Sequence, residues 1–349
     1  MKIINDEIII KKLQINIKAT LNDSIIQMND SGQKILFVTE ENDTLIGTIT
    51  DGDIRRGIIK GLPMQSCVSS FFCSNPIVLH EDSMEKAFEL MAINKIDRLP
   101  LINKNGRIIK VYANELQLDH STKKCDNVVV IMAGGKGSRL KPITDIIPKP
   151  LLPIHGKPII YQIMDVFYKY SFTDFVFALN YKRELIKLYL SSLKEVPFKI
   201  SIIEENDLFL GTAGSLSLLR LKNRQPIVLT NCDILLNTDY RDAIKFHNEN
   251  NNEITIISNI QEINVPYGII THIDGNFQEI KEKPILYYNV NTGIYIINPT
   301  VIKRIPKNTK IDMTDIINFE QKLGNKIGVY PTHEKWFDIG NWSDLNKNC

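Results

Sequence analysis

The run Gly134-Gly135-Lys136-Gly137-Ser138-Arg139 follows directly on the apolar stretch Val128-Val129-Val130-Ile131-Met132-Ala133. Glycines tolerate positive φ and carry no Cβ. Ala133, Gly134, Gly135, Gly137 and Ser138 can therefore bring successive backbone N–H groups to a polyphosphate, with Lys136 and Arg139 adding positive charge. That is the chemistry of a nucleotide cradle. Its spelling excludes two common forms: Gly137 stands where a Walker A loop needs Ser or Thr, and Leu140 where a dinucleotide fingerprint needs its third glycine. A further cation, Lys149, lies within Pro148-Lys149-Pro150, where the prolines exclude an α-helix. Downstream, Asp233 ends an apolar strand, Asp338 sits in Trp336-Phe337-Asp338-Ile339-Gly340, and Leu210-Gly211-Thr212-Ala213-Gly214-Ser215 offers a flat backbone for a base or ribose.

These residues need elements to position them. From about Asn127, apolar β-rich runs (Val128–Met132, Phe175–Asn180, Phe198–Ile203, Ile227–Asn231) alternate with helical periodicity over Lys157–Tyr170, Arg183–Leu193 and Gly214–Leu221. The pattern predicts an α/β, Rossmann-like domain with a largely parallel sheet, whose ligands sit beyond the strand carboxyl ends. Residues 1–120 read differently, as two similar helix, strand, turn, strand, helix units. In the first, Gly47-Thr48-Ile49-Thr50-Asp51-Gly52-Asp53 joins a strand to a helix; the second repeats the order through Ser83–Ile93 and Asp97–Tyr112. The polar segment around 121–126 reads as a linker, leaving 127–349 as the second domain.

The spelling Gly-Gly-x-Gly-Ser-Arg-Leu-x-Pro-Ile-Thr followed by Pro-Lys-Pro resembles the signature of sugar-1-phosphate nucleotidyltransferases, and the duplicated N-terminal unit resembles a CBS-domain pair. The first resemblance implies that Arg139, Lys149, Lys283 and Asp233 carry catalysis and that Asp233 and Asp338 hold Mg²⁺. It places the nucleotide on Ala133, Gly134, Gly135, Gly137, Ser138 and Arg139 and on Gly211, Thr212 and Ala213, with Glu204 or Glu205 reading the base. A carboxylate accepts guanine N1–H and N2–H₂ together, which favours GTP. Gly268, Glu282, Asn291 and Thr292 would hold the sugar and Lys283 its phosphate, although Glu282-Lys283-Pro284 is equally a solvated charge pair on its residues alone. The second resemblance implies a regulatory nucleotide on Thr50 and Asp53, or else a helix-terminal charge at Asp53 in a pair that serves only to dimerise. The second repeat has Ala113-Asn114-Glu115 in place of Thr-x-x-Asp.

A CBS pair fused to such a domain resembles the guanylyltransferases that act on glucosamine 1-phosphate in bacterial legionaminic acid synthesis. GTP plus α-D-glucosamine 1-phosphate, giving GDP-glucosamine and pyrophosphate, is the expected reaction. Heptose- or mannose-1-phosphate guanylyl transfer and glucose-1-phosphate thymidylyl transfer are alternatives, as is an inactive nucleotide-sensing regulator.

Across 349 residues, Lys plus Arg at 42 and Asp plus Glu at 40 leave a net charge of +2, which argues against nucleic acid or an anionic membrane as the main partner. The five cysteines lack paired C-x-x-C spacing, so neither a zinc site nor a disulfide framework is expected. Acidic residues interrupt the N-terminus and no apolar run reaches the roughly 18 residues of a membrane span, so a cytoplasmic protein is expected, with self-association through the CBS pair.

Overall fold

The computed structural model describes residues 2–114, 124–194, 196–205, 209–221 and 224–340. Its contacts divide the chain into two compact units, Met1–Asp119 and His120–Cys349.

In the first unit, each repeat builds a three-stranded sheet. Leu45–Thr50 pairs antiparallel with Ile35–Thr39, and Gln14–Asn16 adds a parallel edge. In the second repeat, Ile108–Ala113 pairs with Arg98–Ile102 on one side and with the N-terminal strand Lys2–Ile4 on the other. Both outer strands lay outside the sequence repeat, because each is only three residues long and its pairing partner is distant in the chain. The helix expected after Ala113 falls outside the described residues.

Thr50 and Asp53 form a reciprocal capping box at the head of the Asp51–Ile59 helix: Asp53 N–H donates to Thr50 Oγ1 (3.3 Å) and Thr50 N–H to Asp53 Oδ2 (2.8 Å). The other Asp53 oxygen pairs with Arg56. Thr20 and Asp23 make the same box at the head of the Leu21–Ser31 helix. Thr-x-x-Asp is thus a helix-start device used twice in this unit.

The second unit is organised by a seven-stranded sheet. We label its strands β1 (Val129–Ala133), β2 (Asp174–Leu179), β3 (Lys199–Glu204), β4 (Ile227–Asn231), β5 (Ile254–Asn264), β6 (Ile285–Ile297) and β7 (Ile327–Thr332). The spatial order is β3-β2-β1-β4-β6-β5-β7. All neighbours run parallel except at β6, which is antiparallel to both β4 and β5. Both faces are covered. Val129, Ile131 and Phe177 belong to one core with the Ile159–Tyr168 helix, while Val130, Met132 and Ala178 belong to another with Val301, Met313 and Ile316. Burial on both faces explains why β1 is a continuous apolar run and not an alternating one.

Two local expectations are corrected. The helix expected over Gly214–Leu221 is instead one α-turn, Gly211–Gly214, followed by a 3₁₀ turn, Ser215–Leu218. Its Ala213 and Gly214 N–H groups, which a first helical turn leaves without intrahelical partners, donate to Ile311 O (3.1 and 3.2 Å) and dock the turn on a distant loop. The linker is also shorter than 121–126. Cys125 already belongs to the second unit, its N–H donating to Ser171 O at 3.0 Å.

Candidate active site

Four parallel strands, β1 to β4, end on the same edge, and each runs into a connecting segment there. β1 runs into Gly134–Gly137, β2 into Asn180-Tyr181-Lys182, β3 into Glu205 and β4 into Asn231-Cys232-Asp233. A cavity of about 330 Å³ opens at this edge, lined by Gly134, Gly135, Gly137, Lys149, Glu205, Gly211, Thr212 and Asp233 among the expected residues. Met132, Phe209, Asn231, Cys232 and Lys310 line it as well, and sequence reasoning assigned none of them a role.

The glycine loop is shaped by contact as well as by conformation. Gly137 has φ +61°, and a Cβ there would lie 3.0 Å from Thr144 Cγ2 and 3.2 Å from Lys149 Cβ. Thr144 is fully buried and its hydroxyl donates to Gly137 O at 2.9 Å. Lys136 lies over the Phe209 ring, 4.6 Å from its centroid, and so reaches from the loop to another wall of the cavity.

Lys149 is held by the 3₁₀ turn Lys149–Leu151 and forms a largely buried ion pair with Asp233 Oδ2. The opposite oxygen, Asp233 Oδ1, is buried and has no hydrogen-bond partner among the described residues. A buried carboxylate oxygen without a donor is costly, and here it lies at the cavity wall. Asp338 arrives from a separate piece of chain: Trp336–Asp338 pairs antiparallel with Ile234–Leu236, Asp338 opposite Ile234, and Ile339 N–H donates to Asp233 O at 3.0 Å. The two aspartates are therefore neighbours across a ladder, one step out of direct opposition. Asp338 is exposed and outside the cavity lining.

The structure separates Glu204 from Glu205. Glu204 points to the surface, paired with Lys187 at 2.7 Å and Arg183 at 3.4 Å. Glu205 is buried at 3% exposure; its Oε2 accepts from Asn180 Nδ2 (3.0 Å) and Leu210 N–H (3.1 Å), and its Oε1 lies toward Gly134. Gly211, at φ +77°, is required by packing, since a Cβ would meet Ile311 O at 2.6 Å. Thr212 Oγ1 accepts from Met313 N–H (3.0 Å) and so helps cap the Met313–Lys322 helix. The Gly211–Gly214 turn thus serves first to dock the 309–312 loop, with Ala213 buried behind it.

The remaining expected residues stand apart from this cavity. Arg139 and Ser138 are exposed on the turn Ser138–Leu140. Gly268 and Glu282 flank the hairpin of Ile269–Ile273 with Asn276–Lys281, the Glu282 carboxylate against Gly268, and Lys283 follows, exposed and left-handed at φ +43°. Asn291 donates to Tyr295 OH (2.7 Å) and accepts from Gly293 N–H (3.0 Å). Thr292 is 1% exposed and its hydroxyl serves the β5–β6 bulge, donating to Ile257 O (2.6 Å) and accepting from Ile294 N–H (3.3 Å). That commitment removes the Thr292 hydroxyl from a sugar.

Comparison with known proteins gives the constellation a lineage. A family model described as nucleotidyl transferase matches residues 128–348, and one described as CBS domain matches residues 6–60 and 68–111. The chain belongs to the nucleotidyl transferase family. It is 36% identical over 224 residues to the mannose-1-phosphate guanylyltransferase catalytic subunit beta of Dictyostelium discoideum, an alignment covering 62% of each chain, so the chain spans under two thirds of that relative's length. The solved structure of HddC from Yersinia pseudotuberculosis is similar at TM-score 0.51 and 27% identity, over 64% of this chain and 98% of the other. A second HddC structure, complexed with GMP-PN, is similar at TM-score 0.50 and 26% identity over the same shares.

Within this nucleotidyl transferase unit, Cys232 is the buried neighbour of Asp233. Burial first, and the Asp233 charge second, push its thiol up to about 12. The folded state thus favours the neutral thiol: that contribution is complete below the unfolded thiol pKa of roughly 8.5 and is lost as pH rises above it. Iodoacetamide at pH 8 is expected to modify exposed Cys67 and Cys73 and to spare Cys232 until denaturant is added, as read by mass spectrometry. Equal labelling of Cys232 in the native protein would contradict its burial.

Proposed function

We propose that this protein transfers a guanylyl group from GTP to a sugar 1-phosphate, releasing pyrophosphate. The observation that carries the reading is the convergence of the glycine loop, Lys149, Asp233 and Glu205 on one cavity at the carboxyl edge of β1 to β4. A sugar-1-phosphate oxygen attacks the α-phosphorus, the bond from that phosphorus to the β-bridging oxygen breaks, and pyrophosphate leaves. Both partners are anionic and the nucleophile is already ionised at neutral pH. Catalysis is then positioning and charge neutralisation, without a general base.

Gly134–Gly137 N–H groups and Arg139 hold the β- and γ-phosphates. Lys149 faces the reacting phosphates, and Lys283 meets the incoming sugar phosphate. The donor set fits Mg²⁺, since Asp233 Oδ1 is a buried carboxylate oxygen lacking a donor and the backbone of Asp338 lies one ladder step from Asp233. Asp233 and Asp338 would hold the ion, which when bound neutralises phosphate oxygen charge.

Guanine is supported by Glu205, whose carboxylate is fixed by Asn180 and Leu210 with Oε1 left toward the cavity, and by the names of the relatives. For the acceptor, the fusion of a CBS pair to this domain favours α-D-glucosamine 1-phosphate, and hence GDP-glucosamine for legionaminic acid synthesis in the cytoplasm. The names of the relatives favour mannose 1-phosphate instead. Among the described residues no helix is long and apolar enough to cross a membrane. A regulatory nucleotide at Thr50 and Asp53 requires the Asp53–Arg56 pair to open first, and self-association through the CBS pair belongs to the same proposal.

The test is pyrophosphate release from four nucleoside triphosphates crossed with glucosamine, mannose, glucose and heptose 1-phosphates. GTP with glucosamine 1-phosphate is expected to be fastest, and release with no pair overturns the transferase reading. In the same panel Glu205→Gln is expected to reduce the preference for GTP over ATP by roughly ten- to a hundredfold, the discrimination carried by one hydrogen bond from guanine to the charged Oε1. An unchanged preference would remove Glu205 from base reading.

A further inference from the structure

We propose that Tyr181 and Lys182 clamp the phosphate loop in its binding shape, with Lys182 a positioning residue for nucleotide capture. The proposal rests on the nucleotidyl-transfer reading, because it assigns a task to that reading's loop. Tyr181 reaches both ends of the loop: its N–H donates to Gly134 O at 3.3 Å and its hydroxyl to Thr144 O at 3.3 Å. Thr144 in turn donates to Gly137 O at 2.9 Å, so the first and last glycines are both tied to one tyrosine. Lys182 extends the clamp, its Nζ donating to Asp145 O and, at 2.9 Å, to Ile146 O. These carbonyls close the 3₁₀ turn Ile143–Asp145, where the chain has few donors of its own to offer them.

The backbone at Lys182 sharpens the inference. It sits at φ +51°, ψ 33°, in the left-handed region, immediately before the Arg183–Ser192 helix. Glycine or asparagine adopts that conformation at less cost than a lysine, and lysine supplies no side-chain oxygen to cap the helix. What lysine alone adds there is an ammonium long enough to bridge two carbonyls 37 and 36 positions back in the chain. A strained residue held by such contacts is a candidate for function.

The physical effect follows from the loop's composition. A segment with three glycines has much backbone freedom to lose when it wraps a triphosphate, and ordering it beforehand removes that cost from binding. Releasing the clamp therefore weakens capture of the nucleotide more than it slows chemistry. Neither residue lines the cavity, so the effect acts through the loop.

The experiment compares Lys182→Met, Lys182→Asn, Lys182→Arg and Tyr181→Phe in the full chain. With the best substrate pair of the wild-type protein, Lys182→Met and Lys182→Asn are expected to raise the triphosphate KM about tenfold with kcat within about threefold, and Lys182→Arg to restore it. Tyr181→Phe moves KM in the same direction by less. Asparagine accepts the left-handed backbone, so a KM restored by Lys182→Asn would assign the effect to conformation and overturn the clamp. Hydrogen exchange on the ligand-free protein is expected to quicken across residues 134–147 in Lys182→Met. Unchanged exchange there, or an unchanged KM in both Lys182→Met and Lys182→Asn, overturns the proposal. If the wild-type protein turns over no substrate pair, the transferase reading fails by itself and the exchange measurement still decides the clamp.

Discussion

Asp233→Asn is expected to lower pyrophosphate release by about a thousandfold while the protein stays folded. The substitution keeps the shape of the side chain and an oxygen acceptor for Lys149, but it removes the negative charge from a wall where one carboxylate oxygen is buried without a partner. A cation arriving with the substrates would satisfy that oxygen. An amide there has little affinity for Mg²⁺, so the variant is also expected to lose the rise in melting temperature that MgCl₂ plus GTP gives the wild-type protein. A rate within tenfold of wild type would remove Asp233 from the site. A large loss accompanied by a collapsed melting temperature would instead indicate a structural role.

Lys149→Met is expected to cost about a hundredfold in kcat/KM, for a different reason. It removes a cation from the cavity wall, where the proposed reaction puts the phosphates, and leaves the Asp233 carboxylate largely buried and unpaired, at the desolvation cost that makes broken buried pairs destabilising. The two substitutions share one ion pair, so their effects should not add. The double variant Lys149→Met with Asp233→Asn is expected to fall no more than about tenfold below the worse single one. It should also melt higher than Lys149→Met alone, because no unpaired charge remains. Full additivity in kcat/KM would mean that the pair in the structure is not a functional unit.

Chain-local features were legible in the sequence. The buried strand into the glycine loop, the exclusion of Walker A and dinucleotide spellings, the β/α alternation and the two N-terminal repeats all depend on neighbours within a few positions. Asp233 was legible too, because a carboxylate closing an apolar strand emerges at the ligand edge of a parallel sheet. Short-range rules misjudged Gly214–Leu221. Its periodicity suggested a helix, but the chain makes one α-turn, Gly211–Gly214, docked on Ile311 about a hundred positions away, and then a 3₁₀ turn, Ser215–Leu218.

What the tertiary structure alone decided is a set of long-range pairings. The choice between Glu204 and Glu205 is invisible in the spelling Glu-Glu. It follows from one residue facing Lys187 outside while the next turns in to Asn180 and Leu210. Lys149 meets Asp233 across 84 positions of chain, Asp338 pairs with Ile234 next to Asp233, and Tyr181 and Lys182 reach from the end of β2 to Gly134 and to the Asp145 carbonyl. Sequence by itself determines which chemical groups are present and which local element carries each. Which groups end within a few ångströms of one another depends on how the strands are ordered and registered in the sheet. That order is set by burying apolar faces on both sides at once, a property of the whole domain and of no single segment.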